Sequence, residues 1–170
     1  MVKVPAAKTL PLFQWIDEDG QCGNGRDTCE GRACVDYFQN VIAVAGKKMC
    51  DIRGAGVMGK GVFANQTIPS ESIIGEYLGR LHPPKSLPVH DRYVFVIPEI
   101  GEVTANQFGN LTRFVNHHCD PNVTARVGMY GKRQVVLYVA NREIKAGEQL
   151  FVDYGSVYFS LPDYPCSEKM

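Results

Sequence analysis

The chain contains no run of about 18 apolar residues, the minimum for a helix that spans a bilayer. It also lacks any excess of charge: 18 Lys and Arg balance 18 Asp and Glu. A strong long-range pull on nucleic acid or on an anionic membrane is therefore not expected, although a local basic patch is compatible with the balance. Residues 1–8 lack the apolar core of a secretory signal, so an intracellular setting with reduced thiols is expected. No internal repeat, heptad run or low-complexity tract occurs, and there is a single Trp.

Closely spaced cysteine pairs are missing too. Of the six cysteines, Cys22, Cys29, Cys34 and Cys50 fall in the first 50 residues, with Cys119 and Cys166 far downstream. A structural zinc needs four converging soft ligands, and paired CxxC spacing is its usual signature. Free thiols are the simpler reading, with one zinc on Cys22, Cys29, Cys34 and Cys50 as the alternative. The Gly-rich segment Arg53-Gly-Ala-Gly-Val-Met-Gly-Lys-Gly-Val-Phe63 lacks the Ser or Thr that would follow Gly-Lys in a phosphate loop. It also lacks the following helix of a dinucleotide fingerprint, because Ala64 to Pro69 cannot sustain a long one. A tight hairpin is the plain reading.

What is present is a β-rich pattern in a chain of 170 residues, 45% hydrophobic, which is enough for one domain with a core. Short apolar runs at 41–44 and 49–52 read as strands. So do 72–78, 92–98 (apolar almost throughout, hence expected to be buried on both faces) and 102–105. Residues 123–127 and 134–140, joined by a turn at 128–131, read as a hairpin, and 149–154 as the last strand. Residues 109–115 are expected to make one helical turn. Residues 1–40 read as an arm with a cysteine-bearing loop, and 156–170 as a loop-like tail.

The densest chemistry lies at Arg113-Phe-Val-Asn-His-His-Cys-Asp-Pro-Asn122. Taken alone it admits several readings. Cys119 beside His117 and His118 could be a nucleophile with its base, but adjacency in sequence does not make such a pair. Three consecutive ligands rarely converge on one metal. Asn116 and His117 could also simply tie loop to loop through buried hydrogen bonds.

This decapeptide resembles the Arg-Phe-x-Asn-His-Ser-Cys-x-Pro-Asn signature of SET-domain protein lysine methyltransferases. Three further segments resemble that family in the same order: Gly59-Lys-Gly-Val-Phe-Ala64, Gly75-Glu-Tyr-Leu-Gly79, and Glu148-Gln-Leu-Phe-Val-Asp-Tyr-Gly155. The resemblance covers about 41–155, leaving 1–40 and 156–170 outside. It implies a mainly β fold of small curved sheets with few helices and a C-terminal pseudoknot, which brings Tyr154 beside Asn116 and His117. The implied cofactor is S-adenosylmethionine, held by Met58, Gly59, Lys60, Arg92, Tyr93, Val94, Arg113, Asn116 and His117. The implied reaction moves a methyl group to the ε-amine of a protein lysine, with histone tails among the candidate partners and the nucleus as the expected location. Tyr154 is the implied catalytic tyrosine and Tyr77 lines the lysine channel. No metal is needed for this chemistry.

Three departures qualify the resemblance. His118 replaces the usual Ser. Val152 stands where many members carry an aromatic that limits how many methyl groups fit, so a wider channel is expected. Only Cys166 follows the domain, where other members place a cysteine cluster for zinc. A SET-fold protein that binds without methylating, or a scaffold turned to small-molecule chemistry, are the alternative readings.

Overall fold

The computed structural model describes residues 43–88, 91–97, 100–130 and 133–155. The cysteine-bearing arm at 1–40 and the tail at 156–170 lie outside them, as do Cys22, Cys29, Cys34 and Cys166. No helix among the described residues is long and apolar enough to cross a membrane.

Among the described residues ten strands form three sheets, with one short α-helix, α1 (Ala43–Met49), and two single-turn 3-10 segments. The expected strand at 41–44 is therefore a helix from Ala43 onward. A four-residue apolar run carries no period that separates the two. Packing decides it: Gly46 lies so close to β3 (Ile73–Glu76) that a Cβ would stand 2.4 Å from the Ile74 carbonyl. Lys47 and Lys48 fall in the last turn, where cations suit the helix C-terminus.

β1 (Cys50–Gly54) and β2 (Lys60–Ala64) pair antiparallel from Cys50 opposite Ala64 to Gly54 opposite Lys60. The Gly-rich segment is thus the turn of a hairpin, as its sequence indicates. Cys50 packs in the core, where burial first and Asp51 second push its thiol up to about 11.

The central sheet has the order β3-β9-β8-β10-β7. β8 (Val123–Tyr130) and β9 (Arg133–Ala140) form its long hairpin, running further toward the turn than expected. β10 is only Phe151–Val152 and lies parallel to both β7 (Asn116–His117) and β8. The final strand therefore inserts between two strands that are close neighbours in sequence, and residues 118–122 carry the chain across it. Buried Asn122 staples that crossing: its Nδ2 donates to the Gln149 carbonyl at 2.8 Å and to Glu148 Oε1 at 3.0 Å, and its Oδ1 accepts from Phe151 N–H at 2.8 Å. The rest of the expected strand at 149–154 is not regular; Gln149 forms only an isolated bridge to Phe63.

The third sheet has the order β4 (Arg80–His82), β6 (Gly101–Thr104), β5 (Val94–Ile97), and it gives Ile97 and Val103 to the core. β5 was expected to be buried on both faces, yet Val96 is 59% exposed. β5 is an edge strand pairing only with β6, and its register sets Val96 beside Glu102 on the outward face.

Candidate active site

Four elements converge beneath the inserted strand. Tyr77 follows β3, residues 92–95 lead into β5, Thr112 and Arg113 sit in the 3-10 turn Leu111–Phe114, and Tyr154 follows β10. Together with Val115, Tyr138 and Asp153 they line one cavity of about 50 Å³. A water needs roughly 10–15 Å³ on that scale, so the cavity has room for a few waters or a slender alkyl chain.

The 3-10 turn is fixed by its sequence. Asn110 caps it, its Oδ1 accepting from Thr112 N–H at 3.2 Å, while its Nδ2 donates to the Glu76 carbonyl at 2.8 Å. The buried Thr112 hydroxyl sits within hydrogen-bonding distance of the same carbonyl, at 3.2 Å. These bonds lock the turn that carries Arg113 onto β3, which leads to Tyr77.

Four tyrosines line the cavity, and Tyr77, Tyr138 and Tyr154 bring side-chain chemistry to it. Tyr77 is buried and its hydroxyl donates to the Tyr93 carbonyl at 2.8 Å. Tyr154 donates from its hydroxyl to the Val115 carbonyl at 2.8 Å. Tyr138 is 3% exposed, and its ring centroid lies 5.7 Å from that of Tyr77. Burial first, and the neighbouring Tyr154 second, hold the Tyr77 phenol well above its ordinary titration range. Tyr138 is raised by burial, then by Tyr77 and Tyr154. Both are therefore neutral phenols at physiological pH and cannot act as phenolate bases.

Arg113 closes one wall, with its guanidinium 4.3 Å over the Tyr93 ring and an Nη2–H donated to the Asn106 carbonyl at 3.2 Å. Its Nε is buried without a partner. An orphaned buried donor of this kind suits an anionic ligand group.

The other expected residues form a rim beside the cavity. Asn116 Nδ2 donates to the Lys60 carbonyl at 3.0 Å, tying β7 to the Gly-rich hairpin. Met58 is exposed, and Gly59 has φ of +76° with open space where a Cβ would stand. His117 couples rim to cavity: its Nδ1 accepts from Tyr154 N–H at 3.1 Å, and the two rings lie 5.5 Å apart. With Nδ1 an acceptor, the ring proton of neutral His117 sits on Nε2, 3.4 Å from Cys119 Sγ.

Thus Tyr77, Arg92, Tyr93, Val94, Arg113 and Tyr154 line the cavity, while Met58, Gly59, Lys60, Asn116 and His117 sit on or beside the hairpin rim. His118, the unexplained departure, is a loop residue here. Its Nδ1 accepts from Asp120 N–H at 2.9 Å, its backbone N–H donates to Val152 at 3.3 Å, and its ring packs on Phe151. Val152 is buried in the core and is not among the cavity-lining residues. Sequence reasoning missed Phe95, Thr112, Val115, Tyr138 and Asp153 in the lining. Tyr138 sits in an apolar strand run that signals only burial. Among the described residues no group of three or more His, Cys, Asp or Glu side chains could hold a metal.

A set of small sheets closed by a strand inserted beneath a loop, with tyrosines gathered where the two cross, defines a SET-type fold. The chain belongs to the SET-domain family, whose model, described as "SET domain", matches residues 59–155. It is 36% identical over 105 residues to a fission yeast (Schizosaccharomyces pombe) histone-lysine N-methyltransferase described as H3 lysine-4 specific, covering 55% of this chain and 11% of that protein. It is 36% identical over 114 residues to human histone-lysine N-methyltransferase EHMT1, covering 61% of this chain and 9% of the relative. Against histone-lysine N-methyltransferase set-2 of Caenorhabditis elegans it is 31% identical over 140 residues, 75% of this chain and 9% of the relative. The chain therefore spans only about a tenth of the length of these relatives.

Proposed function

We propose that this chain is an S-adenosylmethionine-dependent methyltransferase acting on the ε-amine of a protein lysine, with a histone tail as the leading substrate class and the nucleus as its place of action. The observation that carries the reading is the position of Tyr154, delivered by the inserted β10 to the mouth of a cavity that Tyr77 also lines. The domain would run from about 41 to 155, because β1 pairs with β2 ahead of the matched segment.

The residues present fit the cofactor. Met58, Gly59 and Lys60 would hold it through main-chain groups, with Gly59 leaving space beside the turn. Arg113 offers its unpartnered Nε to a carboxylate. Asn116 and His117 support the rim, and Arg92, Tyr93 and Val94 the facing wall. When bound, the cofactor supplies a methyl group on a sulfonium, so the N–C bond forms as the S–C bond breaks and its electrons return to sulfur.

The protein's own share is positioning and desolvation. A free lysine amine titrates near about 10.4, and a low-dielectric cavity penalises its ammonium form. Tyr154 and Tyr77 each commit their hydroxyl proton to a backbone carbonyl. Their oxygens are left as acceptors for the N–H bonds of the entering amine, which aims its lone pair away from them. Holding amine and methyl in line supplies much of the acceleration. The proton released on transfer leaves to solvent, since the buried Tyr77 phenol cannot take it.

The test is incubation with isotope-labelled S-adenosylmethionine and histones, alongside Tyr154→Phe. Label on lysine that disappears in the variant supports the reading. Thermal stabilisation by the cofactor without transfer would show a binding protein instead.

A further inference from the structure

Asp153 is the only carboxylate among the described residues that line the cavity. It stands between β10 and Tyr154, and its side chain is 60% exposed, so it marks the mouth rather than the floor. One oxygen is fixed: Oδ1 accepts from Gly155 N–H at 2.8 Å and lies 3.6 Å from His117 Nδ1. That ring nitrogen accepts from Tyr154 N–H, so it has no proton to offer the carboxylate. Among the described residues no Lys or Arg lies within ion-pair distance of Asp153, and its Oδ2 has no hydrogen-bond partner. The result is a carboxylate held in place by one oxygen, with the other open at the entrance.

The other charged and titratable groups around this point cannot attract a cation in the same way. Arg92 ahead of β5 and Arg113 on the 3-10 turn are themselves cations, the phenols of Tyr77 and Tyr138 are neutral, and Tyr93 and Tyr154 complete the titratable lining. We propose that Asp153 captures the substrate lysine as its ammonium at the cavity mouth, through Oδ2, before the amine reaches the tyrosines. This rests on the lysine methyltransferase reading. A carboxylate beside an ammonium favours the charged form, whereas the cavity behind it penalises that form. The two influences act in sequence along the path: the ammonium is held at the mouth, its proton passes there to solvent water, and the neutral amine moves inward. Asp153 thereby stabilises the bound, unreacted substrate. That lowers KM, and it also lowers the share of bound amine that is ready to attack.

Asp153→Asn in the full chain tests this, because the amide keeps an oxygen for Gly155 N–H and removes only the charge. The melting temperature should hold. With a histone H3 tail peptide, KM should rise about fivefold, the upper range for a solvent-exposed ion pair. The acid limb of the kcat profile should move to lower pH by roughly half a unit, since the bound amine then gives up its proton more readily. A merely structural role would lower kcat at every pH and leave that limb in place. Fluorescence anisotropy of the same peptide on protein saturated with S-adenosylhomocysteine should show a similar weakening at low salt and little difference at high salt. If wild type transfers no methyl to any histone peptide, the methyltransferase reading fails, and the anisotropy ratio alone decides the role of Asp153. If a folded Asp153→Asn binds the peptide as tightly as wild type at low salt, the proposal is overturned. It is equally overturned if the acid limb stays in place, or if the loss falls on affinity for S-adenosylmethionine instead.

Discussion

The Gly-rich turn at 55–60 and the tyrosine cavity meet at His117 but are built by opposite means. The turn offers backbone: Ala55 N–H donates to the Gly59 carbonyl, Gly59 N–H to Gly56, and Val57 and Met58 point into solvent. The cavity offers side chains, four of them phenols, gathered under the inserted strand β10. A main-chain cradle recognises a ligand by shape and is tolerant of side-chain identity at Val57, Met58 and Lys60. A phenol-lined pocket sets protonation and angle, and each hydroxyl counts. Substitutions in the two regions should therefore fail differently: at the turn they weaken binding, and in the cavity they slow chemistry.

The largest expected effect tests the cavity half. Tyr154→Phe removes the hydroxyl whose proton is tied to Val115, and with it the acceptor proposed to orient the amine. Label transfer at saturating cofactor should fall by roughly 100-fold, the order expected when a reacting group loses its orientation. The cofactor dissociation constant, read by calorimetry, should stay within about threefold, since Tyr154 is not among the residues proposed to hold the cofactor. If affinity and rate fell together, the division between rim and cavity would be wrong.

The next effect is structural and asks whether the cavity depends on the crossing. Asn122→Ala leaves Phe151 N–H, the Gln149 carbonyl and Glu148 without their shared partner. Unmaking buried hydrogen bonds costs about 1–3 kcal/mol each, and these are coupled, so a net loss of about 3 kcal/mol is expected in urea unfolding. Activity at low temperature should fall as well, because β10 carries Tyr154. An unchanged unfolding midpoint would show that the strand inserts without this staple.

The two regions also differ in how plainly the chain declares them. The hairpin is legible because four glycines in Arg53–Phe63 permit little else, and the β8–β9 hairpin because its apolar runs flank a Gly-bounded turn. The meeting of Tyr154 with His117 is legible only through family resemblance, since no local pattern announces that residues 37 apart will share a hydrogen bond. Helix α1 is misread because Val41 to Val44 is too short to carry a period, and the close approach of Gly46 to Ile74 that settles it is tertiary. Tyr138 is invisible for the same reason. It lies in a continuous apolar run that signals only burial, and its small cross-strand partners, Gly75 and Ala125, stand on other strands. His118 shows the converse: an apparent anomaly in the motif that the structure resolves as a loop contact.

A smaller effect tests the turn. Gly59 holds φ of +76° and ψ of −105°, a conformation that side-chain-bearing residues strain to adopt, though a Cβ there would touch nothing. Gly59→Ala should cost about 1–3 kcal/mol of local strain, spent as loss of the bound turn geometry. Cofactor affinity should drop about tenfold while the rate at saturation stays near wild type. Asn116→Ala, which frees the Lys60 carbonyl from its tie, should move affinity in the same direction and by less. Either variant slowing chemistry without weakening binding would erase the contrast.

The smallest effect lies in acid, and it probes the bond network that joins the two regions. Glu148 accepts from Arg142, from Lys145 N–H and from Asn122, and the Arg142 guanidinium foremost lowers its pKa to about 2. The folded carboxyl thus titrates below the unfolded one. Its stabilisation is complete above the ordinary value near 4.5 and is lost as pH falls from there toward about 2. Glu148 is partly exposed, so screening by solvent and salt keeps the contribution modest. Wild type should lose stability through that window more steeply than Glu148→Gln, whose neutral amide cannot titrate, and the two unfolding curves should converge near pH 2. Added salt should narrow the gap above pH 5, because the Arg142 pair is near the surface. Parallel curves across the window would mean that Asn122 alone holds β10 in place, and that the crossing beneath Tyr154 rests on a neutral amide without help from charge.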